Sequence, residues 1–123
     1  VLRMQLPVEP VIANVDASLL KQAVLNLLIN AKHAMADCEQ KELMIRLEEN
    51  ASEACIHIID TGKGIEEVHI DEIFHPYVSN KQGGTGLGLP TTMRIAQEHG
   101  GHIRVNSTVG QGSDFILCVP LHE

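Results

Sequence analysis

The sequence is poor in aromatic and in basic residues, and both shortages restrict what the chain can be. It has no tryptophan, one tyrosine and two phenylalanines, so a buried core must be built mainly from aliphatic side chains. Nine lysines and arginines stand against 16 aspartates and glutamates, which gives a formal net charge of −7. A general nucleic-acid binder needs a basic face, so we expect no nucleic acid among the partners. Any polyphosphate must therefore be held locally, by backbone N–H groups, a metal ion and a few cations.

Other absences concern the compartment and the membrane. The cysteines Cys38, Cys55 and Cys118 are odd in number and lack CxxC spacing, which favours inert, unpaired thiols in a reducing compartment. No apolar run approaches the ~20 residues of a membrane span, and no signal-peptide pattern opens the chain. We expect a cytoplasmic domain, in a parent protein that can still be membrane-anchored. The length of 123 residues and the start at Val1 predict a single domain over residues 1–123, cut from a longer protein.

Hydrophobic periodicity predicts one helix, and proline and glycine positions predict a second. The first is predicted to begin after an N-cap at Asp16 and to run to about Ala36. Its apolar face is formed by Leu20, Val24, Leu27, Ala31 and Met35. Pro90 suits the first turn of the second helix, and Gly100–Gly101 suit its end.

Alternating and apolar segments predict the strands. They are expected at Leu43–Leu47, Ala54–Ile59, His102–Asn106 and Asp114–Val119, with a further short strand around Val11–Ile12. The turns between them are predicted at Glu49–Ser52 and Val109–Gly112. Together these elements predict an α+β fold in which helices cover one face of a mixed sheet.

Asn26, Asn30 and His33 are spaced to share one face of the first helix. The asparagines either bond backbone at a helix–strand junction, or the Asn30 amide oxygen ligates Mg²⁺, a cation that prefers oxygen ligands. His33, one turn further on, is either a partly solvated donor or a contact to phosphate.

Asp60 ends a predicted strand and has the same parity as Ile56 and Ile58, so it is expected to face the core with them. Gly62 and Gly64 leave room for a flat ligand against the backbone. The carboxylate could accept the exocyclic amine of adenine, whereas guanine would present a carbonyl oxygen. The alternative is an ordinary Asp-Thr-Gly turn with a solvated carboxylate.

A glycine-rich segment follows, with Lys81 before Gly83, Gly84, Gly86 and Gly88. Such a loop can close over a ligand and direct N–H groups at phosphates near the start of the next helix. Lys81 is then the natural cation for the terminal phosphates. A merely flexible loop is the alternative.

Other nucleotide-binding motifs do not match the sequence. The Gly62–Lys63 pair is followed by Gly64 rather than serine or threonine, which excludes a Walker loop, and Leu89 occupies the third glycine position of a dinucleotide motif. No H-R-D, D-F-G or H-E-x-x-H run is present.

Taken together, the motifs resemble those of the catalytic ATP-binding domain of bacterial sensor histidine kinases. The run from Asn26 to Ala31 resembles the N box, and the run from Asp60 to Gly64 resembles the first glycine box. Phe74 to Lys81 is similar to the F box, although Asn80 replaces the usual threonine. Gly84–Leu89 resembles the second glycine box, and Gly110–Phe115 resembles a third short motif of the family.

This resemblance implies a Bergerat-type ATP-binding fold, a two-layer α/β sandwich with a mixed, mostly antiparallel sheet, with ATP and Mg²⁺ as cofactors. It implies that Asn30 binds Mg²⁺, that Asp60 reads adenine, and that Asn26, Asn30 and Lys81 serve catalysis. Further ATP contacts are implied for His33, Gly62, Gly64, Ile65, Tyr77, Gly84, Thr85, Gly86, Leu87, Gly88, Leu89 and Ser113.

The resemblance also implies that this chain carries only the ATP-binding part of a kinase. Relatives that hydrolyse ATP usually carry a glutamate base where this chain has Asn26, an amide that cannot take a proton at neutral pH. No histidine lies in an H-E-x-x-x-[NP] pattern, so the phosphoacceptor is expected on a separate dimerisation domain, with a response regulator downstream. The isolated domain is expected to be monomeric and the full kinase homodimeric. Alternatives are a serine kinase of the anti-sigma-factor type and a non-catalytic adenine-nucleotide-binding module.

Overall fold

A five-stranded sheet with helices packed on one face is formed by residues 1–75 and 88–121, which the computed structural model describes. The helices and strands in chain order are β1 (Leu2–Gln5), α1 (Ala17–Met35), β2 (Leu43–Glu49), β3 (Glu53–Asp60), α2 (Gly88–Glu98), β4 (His102–Thr108) and β5 (Gly112–Pro120). Two single-turn 3-10 helices, Glu67–His69 and Glu72–Phe74, follow β3. The strand order is β1-β2-β3-β5-β4, with β1 parallel to β2 and all other pairs antiparallel. The predicted α+β fold with a mixed, mostly antiparallel sheet is confirmed.

Helix α1 begins as predicted. The side chain of Asp16 accepts a hydrogen bond of 3.1 Å from the backbone N–H of Leu19, which satisfies one of the N–H groups left unpaired at a helix start. The predicted apolar face faces the sheet, and Leu27 and Ala31 belong to the buried core. Among the described residues, neither helix is long and apolar enough to span a membrane.

Helix α2 ends at glycine, as predicted. Gly100 has a φ of 73°, a left-handed conformation that costs glycine little. The N–H groups of Gly100 and Gly101 donate to the carbonyls of Gln97 and Ala96, over 3.0 and 2.8 Å. This pair of bonds closes the last turn and directs the chain into β4.

The core lies between the two helices and one face of the sheet. Side chains alternate along each strand, so Ile56 and Ile58 of β3 face α1, together with Phe115 and Leu117 of β5. A second, small cluster of Cys55, Ile116 and Cys118 lies apart from this core. By the same alternation it lies on the face of the sheet away from the helices.

One predicted strand is wrong and one strand was missed. Val11–Ile12 is irregular, whereas Leu2–Gln5 forms β1, which pairs with β2 from Leu2 opposite Leu43 to Gln5 opposite Arg46. All four residues of β1 are exposed, so the strand lacks the alternating burial by which a sequence reveals one. Its partner lies about 40 residues away, which no local pattern encodes.

The expectation of unpaired cysteines is wrong for two of the three. Cys55 of β3 and Cys118 of β5 are directly opposite in the antiparallel register and are joined by a disulfide, with their Cα atoms 4.1 Å apart. Cys38 is a free thiol just beyond α1. The pairing depends on the register of two strands that lie 63 residues apart in sequence, so cysteine spacing alone does not reveal it.

Candidate functional site

Helix α1 and the end of β3 bring two polar side chains into the helical layer. Asn30 is 7% exposed and Asp60 is 3% exposed, in a layer built mainly from apolar residues. The alternation that places Ile56 and Ile58 against α1 gives Asp60 the same side of the sheet. The predicted core-facing direction of Asp60 is therefore confirmed.

The Asp60 carboxylate is held at the start of a turn. Its Oδ1 accepts a hydrogen bond of 2.8 Å from the backbone N–H of Gly62, which is an Asx-type turn. The turn of the alternative interpretation is thus present, but the carboxylate is buried rather than solvated. Burial and the bond from Gly62 N–H hold the carboxylate in a defined orientation.

The loop after Asp60 lies directly on α1. A Cβ atom built on Gly62 would come within 2.6 Å of the Ala34 carbonyl oxygen, so the close approach requires glycine. The N–H of Lys63 donates to that same carbonyl over 3.1 Å, and the Lys63 carbonyl accepts from Gly110 N–H over 2.8 Å. The loop is thereby fixed between α1, one turn past Asn30, and the β4–β5 turn.

The β4–β5 turn supports Asp60 from the other side. Gly112 has a φ of 133°, and a Cβ built there would overlap the carbonyl oxygen of Asp60. Gly64 has a φ of 76°, and a Cβ there would overlap the Thr108 carbonyl oxygen. These contacts give a physical reason for the glycine of the third motif, which sequence reasoning had assigned through resemblance alone.

Gly112→Ala is expected to lower thermal stability and to weaken binding of a ligand at the Asp60 carboxylate, because the new methyl group must displace the backbone of Asp60. A forced backbone of this kind costs about 1–3 kcal/mol. Gly110→Ala is the matched control, since Gly110 also has positive φ, 81°, but a Cβ there meets no atom within 4 Å. Thermal melts with and without ADP measure both effects. An equal loss in the two variants would show that positive φ alone matters and that contact with Asp60 does not.

Ser107 is a supporting residue that sequence reasoning missed. Its hydroxyl accepts from the N–H of Ile65 over 2.8 Å, donates to the Gly112 carbonyl over 3.0 Å, and lies 2.7 Å from the Ser113 hydroxyl. Ser113, a predicted nucleotide contact, is directly opposite Asp60 in the register and is buried. The two serines thus join Ile65 to the hairpin, and no sequence motif signals Ser107.

The two asparagines of α1 differ in their bonding. The Asn26 amide donates to the Gly88 carbonyl and to Thr92 Oγ1, both over 3.3 Å, and Thr92 in turn donates to Gly88 over 2.8 Å. Asn26 therefore ties α1 to the first turn of α2: it bonds backbone, as the alternative predicted, but at a helix–helix rather than a helix–strand junction. Within residues 1–75 and 88–121, by contrast, the Asn30 amide has no hydrogen-bond partner. Its oxygen is thus available to an incoming ligand.

The remaining predicted site residues divide between described and undescribed parts of the chain. His33 is half-buried one turn past Asn30, and Leu89 packs into the core at the start of α2. Space around Gly88 is open, since a Cβ there meets no atom within 4 Å. The predictions for six residues fall outside the described residues: Tyr77, Lys81, Gly84, Thr85, Gly86 and Leu87.

The site offers two oxygen donors, one from an amide and one from a carboxylate, in a largely buried place. An amide oxygen is a ligand that Mg²⁺ accepts, together with phosphates and waters, and Asn30 supplies it on a rigid helix. The Asp60 carboxylate, about 2.8 Å from a backbone N–H, supplies an acceptor for an amino group. The residues present therefore fit a Mg²⁺ complex of an amino-bearing nucleotide.

Comparison with known proteins agrees with this geometry. The family model described as "Histidine kinase-, DNA gyrase B-, and HSP90-like ATPase" matches residues 15–123. The sensor histidine kinase ZraS of Escherichia coli (strain K12) is 38% identical over 107 residues, which cover 87% of this chain and 23% of that protein. Sporulation kinase C of Bacillus subtilis (strain 168) is 37% identical over 108 residues, covering 88% of this chain and 25% of that protein. The chain thus spans about a quarter of the length of these relatives.

Among solved structures, the catalytic domain of histidine kinase ThkA superposes with a TM-score of 0.85 at 28% identity. The match covers 98% of this chain and 79% of that one. The mycobacterial sensor histidine kinase MprB superposes with a TM-score of 0.83 at 26% identity, over 98% of this chain and 83% of that one.

Proposed function

Since the chain belongs to the family of histidine kinase-, DNA gyrase B- and HSP90-like ATPases, we propose that it binds Mg²⁺-ATP as one domain over residues 1–123. We propose further that it donates the γ-phosphoryl group to a histidine on a separate dimerisation domain of the same kinase. The observation that carries this proposal is that Asn30 and Asp60 are both buried on the helical side of the sheet. One buried amide without a hydrogen-bond partner in the described residues and one buried carboxylate share the helical layer.

The base is selected by Asp60. Its carboxylate accepts a hydrogen bond from the exocyclic amine of adenine, while Gly62 and Gly64 allow the ring to approach the backbone. A guanine would place its carbonyl oxygen against the same carboxylate, which is a repulsive contact. The resulting preference for ATP over GTP comes from a charge-assisted bond in a buried place.

Asn30 would hold Mg²⁺ through its amide oxygen, and the bound ion would supply charge neutralisation on the phosphates. The chain orients the phosphates along α1, where His33 lies one turn past Asn30. In the transfer, the bond from the γ-phosphorus to the bridging oxygen of ADP breaks and a phosphorus–nitrogen bond forms at the acceptor imidazole.

Water is a poor competitor in this reaction. Asn26 cannot act as a general base, and both of its donated hydrogen bonds go to α2. Activation of the nucleophile is left to the acceptor domain. In the parent protein we propose a cytoplasmic location, a homodimer, and a response regulator that takes the phosphoryl group from the histidine.

Mixing this chain with a dimerising helical domain that carries the acceptor histidine, and with radiolabelled ATP, tests the proposal. Label is expected on the added domain, in the acid-labile form of phosphohistidine, and none on this chain. Alone, the chain is expected to hydrolyse ATP far more slowly than about 1 per second.

Three outcomes would contradict this reading. Acid-stable label on a serine-containing partner would indicate an anti-sigma-factor type kinase. Tight ATP binding without transfer to any acceptor would indicate a regulatory binding module. Rapid hydrolysis by the chain alone would show that a water-activating base exists after all.

A further inference from the structure

The face of the sheet away from the helices carries a row of potential metal ligands. The antiparallel registers place Glu48 of β2, Cys55 of β3, Cys118 of β5 and His102 of β4 side by side across four strands. Residues in such a row point to the same side of a sheet. Glu53, two residues before Cys55 on the same strand, also points to this side of the sheet. Two sulfurs, an imidazole and carboxylates are thus concentrated in one place.

Three of the ligand atoms lie close together, and the fourth lies beside one of them. The two sulfurs and a carboxylate oxygen of Glu53 lie within 4.8 Å of one another, and His102 Nδ1 is 3.8 Å from Glu53 Oε2. Tetrahedral Zn²⁺ with bonds of about 2.0–2.3 Å needs neighbouring ligand atoms roughly 3.3–3.8 Å apart. His102 is not within 4.8 Å of all three other ligand atoms, so its side chain must rotate toward the sulfurs, and at 48% exposed it has room to do so.

The burial pattern fits a closed site with an entry path. Cys118 is fully buried and Cys55 nearly so, while the Glu53 and His102 side chains are partly exposed at the rim. An ion can therefore enter from solvent past the carboxylate and the imidazole and reach sulfurs shielded from water. Two sulfurs, one imidazole and one carboxylate form a donor set suited to Zn²⁺ and not to Mg²⁺.

We propose that Cys55, Cys118, Glu53 and His102 form a Zn²⁺ site that is available when the Cys55–Cys118 disulfide is reduced. The structure holds the oxidised form, in which both sulfurs are consumed by the bond between them. A thiol reductant breaks that bond: two reductant thiols become a disulfide, and each cysteine sulfur gains a proton. Zn²⁺ then displaces these two protons and binds two thiolates. Oxidation and metal binding exclude each other.

This site is separate from the nucleotide site. Cys55 and Asp60 are on the same strand, but the row lies on the opposite face of the sheet from Asp60 and Asn30. Bound Zn²⁺ would join β3, β4 and β5 at the end of the sheet remote from the Asp60 turn. It would act on stability, and its presence does not depend on nucleotide binding.

Spectroscopy with Co²⁺ as a stand-in for Zn²⁺ tests the site. The reduced 123-residue chain is expected to bind one Co²⁺ with thiolate-to-metal charge-transfer absorption in the near ultraviolet, and Zn²⁺ should displace it. The oxidised chain should show no such absorption. At a hundredfold excess over Kd, Zn²⁺ should raise the Tm of the reduced chain by about 10 °C.

Matched variants locate the ligands. Cys118→Ser and His102→Gln should each weaken binding by at least about 100-fold, beyond the 10–100-fold typical of residues that only orient a ligand. Cys38→Ser and His69→Gln are the controls, since Cys38 is a free thiol and His69 is also an exposed histidine beside a glutamate, 3.2 Å from Glu72. His102→Gln keeps both cysteines, so it remains informative if the serine variant does not fold.

Absence of charge-transfer absorption in the reduced chain would overturn the proposal and leave the pair as a structural disulfide. Equal loss of absorption in Cys38→Ser would also overturn it. So would full retention of affinity in His102→Gln together with Glu53→Gln.

Discussion

Asp60→Asn is expected to remove most of the preference for ATP over GTP. A hydrogen bond to a charged group is worth about 1.5–3 kcal/mol, which corresponds to roughly 10- to 150-fold in affinity. Asparagine keeps the shape and an Oδ1 acceptor for the Gly62 N–H, so the turn should survive. The substitution removes the charge and allows the amide to turn a donor toward a guanine carbonyl.

Calorimetric titration of both variants with ADP and GDP measures this preference. Asp114→Asn is the matched control, because it removes one negative charge from the same sheet. Asp114 is opposite Ile59 and bonds His57 at 2.9 Å, on the face away from the helices. If Asp114→Asn changes base preference as much as Asp60→Asn, or if the unmodified chain binds GDP as well as ADP, Asp60 does not read the base.

Asn30→Ala is expected to abolish the gain in ATP affinity that Mg²⁺ provides, while adenosine binds almost as before. The amide oxygen is the metal ligand in the proposed site, and nothing in the described residues replaces it. Transfer to the acceptor histidine should fall by at least about 100-fold, because Mg²⁺ contributes several kcal/mol to stabilising the transferred charge.

Asn26→Ala separates metal binding from general damage to α1. Asn26 is on the same helix, but its amide bonds Gly88 and Thr92, so its loss should lower thermal stability and leave the Mg²⁺-dependent gain in place. Titrations of ATP with and without Mg²⁺ compare the two variants. A Mg²⁺ response that is the same in Asn30→Ala as in the unmodified chain would make Asn30 a structural residue.

Local rules were enough for the parts of the fold that depend on neighbours in sequence. The N-cap at Asp16, the apolar face of α1 and the glycine end of α2 each rest on contacts within a few residues. The direction of Asp60 followed from the two-residue period of a strand. These predictions are confirmed because tertiary packing agrees with the local preference at each place.

Features that depend on contacts between residues far apart in the chain could not be predicted from the sequence. Strand β1 is exposed throughout and is defined only by its partner β2. The Cys55–Cys118 bond and the need for glycine at position 112 require the register of β3 against β5. Likewise, the spacing of Asn26 and Asn30 left both roles open, and only the position of Gly88 and Thr92 separates them.

The loop from Thr61 to Gly64 has a thermodynamic consequence for binding. Its backbone is already fixed on both sides before any ligand arrives. The hydrogen bonds that fix it run from Lys63 N–H to the Ala34 carbonyl and from Gly110 N–H to the Lys63 carbonyl. Association usually costs conformational entropy for each segment that must become ordered. This half of the site has little such entropy left to lose, so the adenine moiety should bind with a small ordering penalty. The affinity of an adenosine fragment should then approach the value that its own contacts allow.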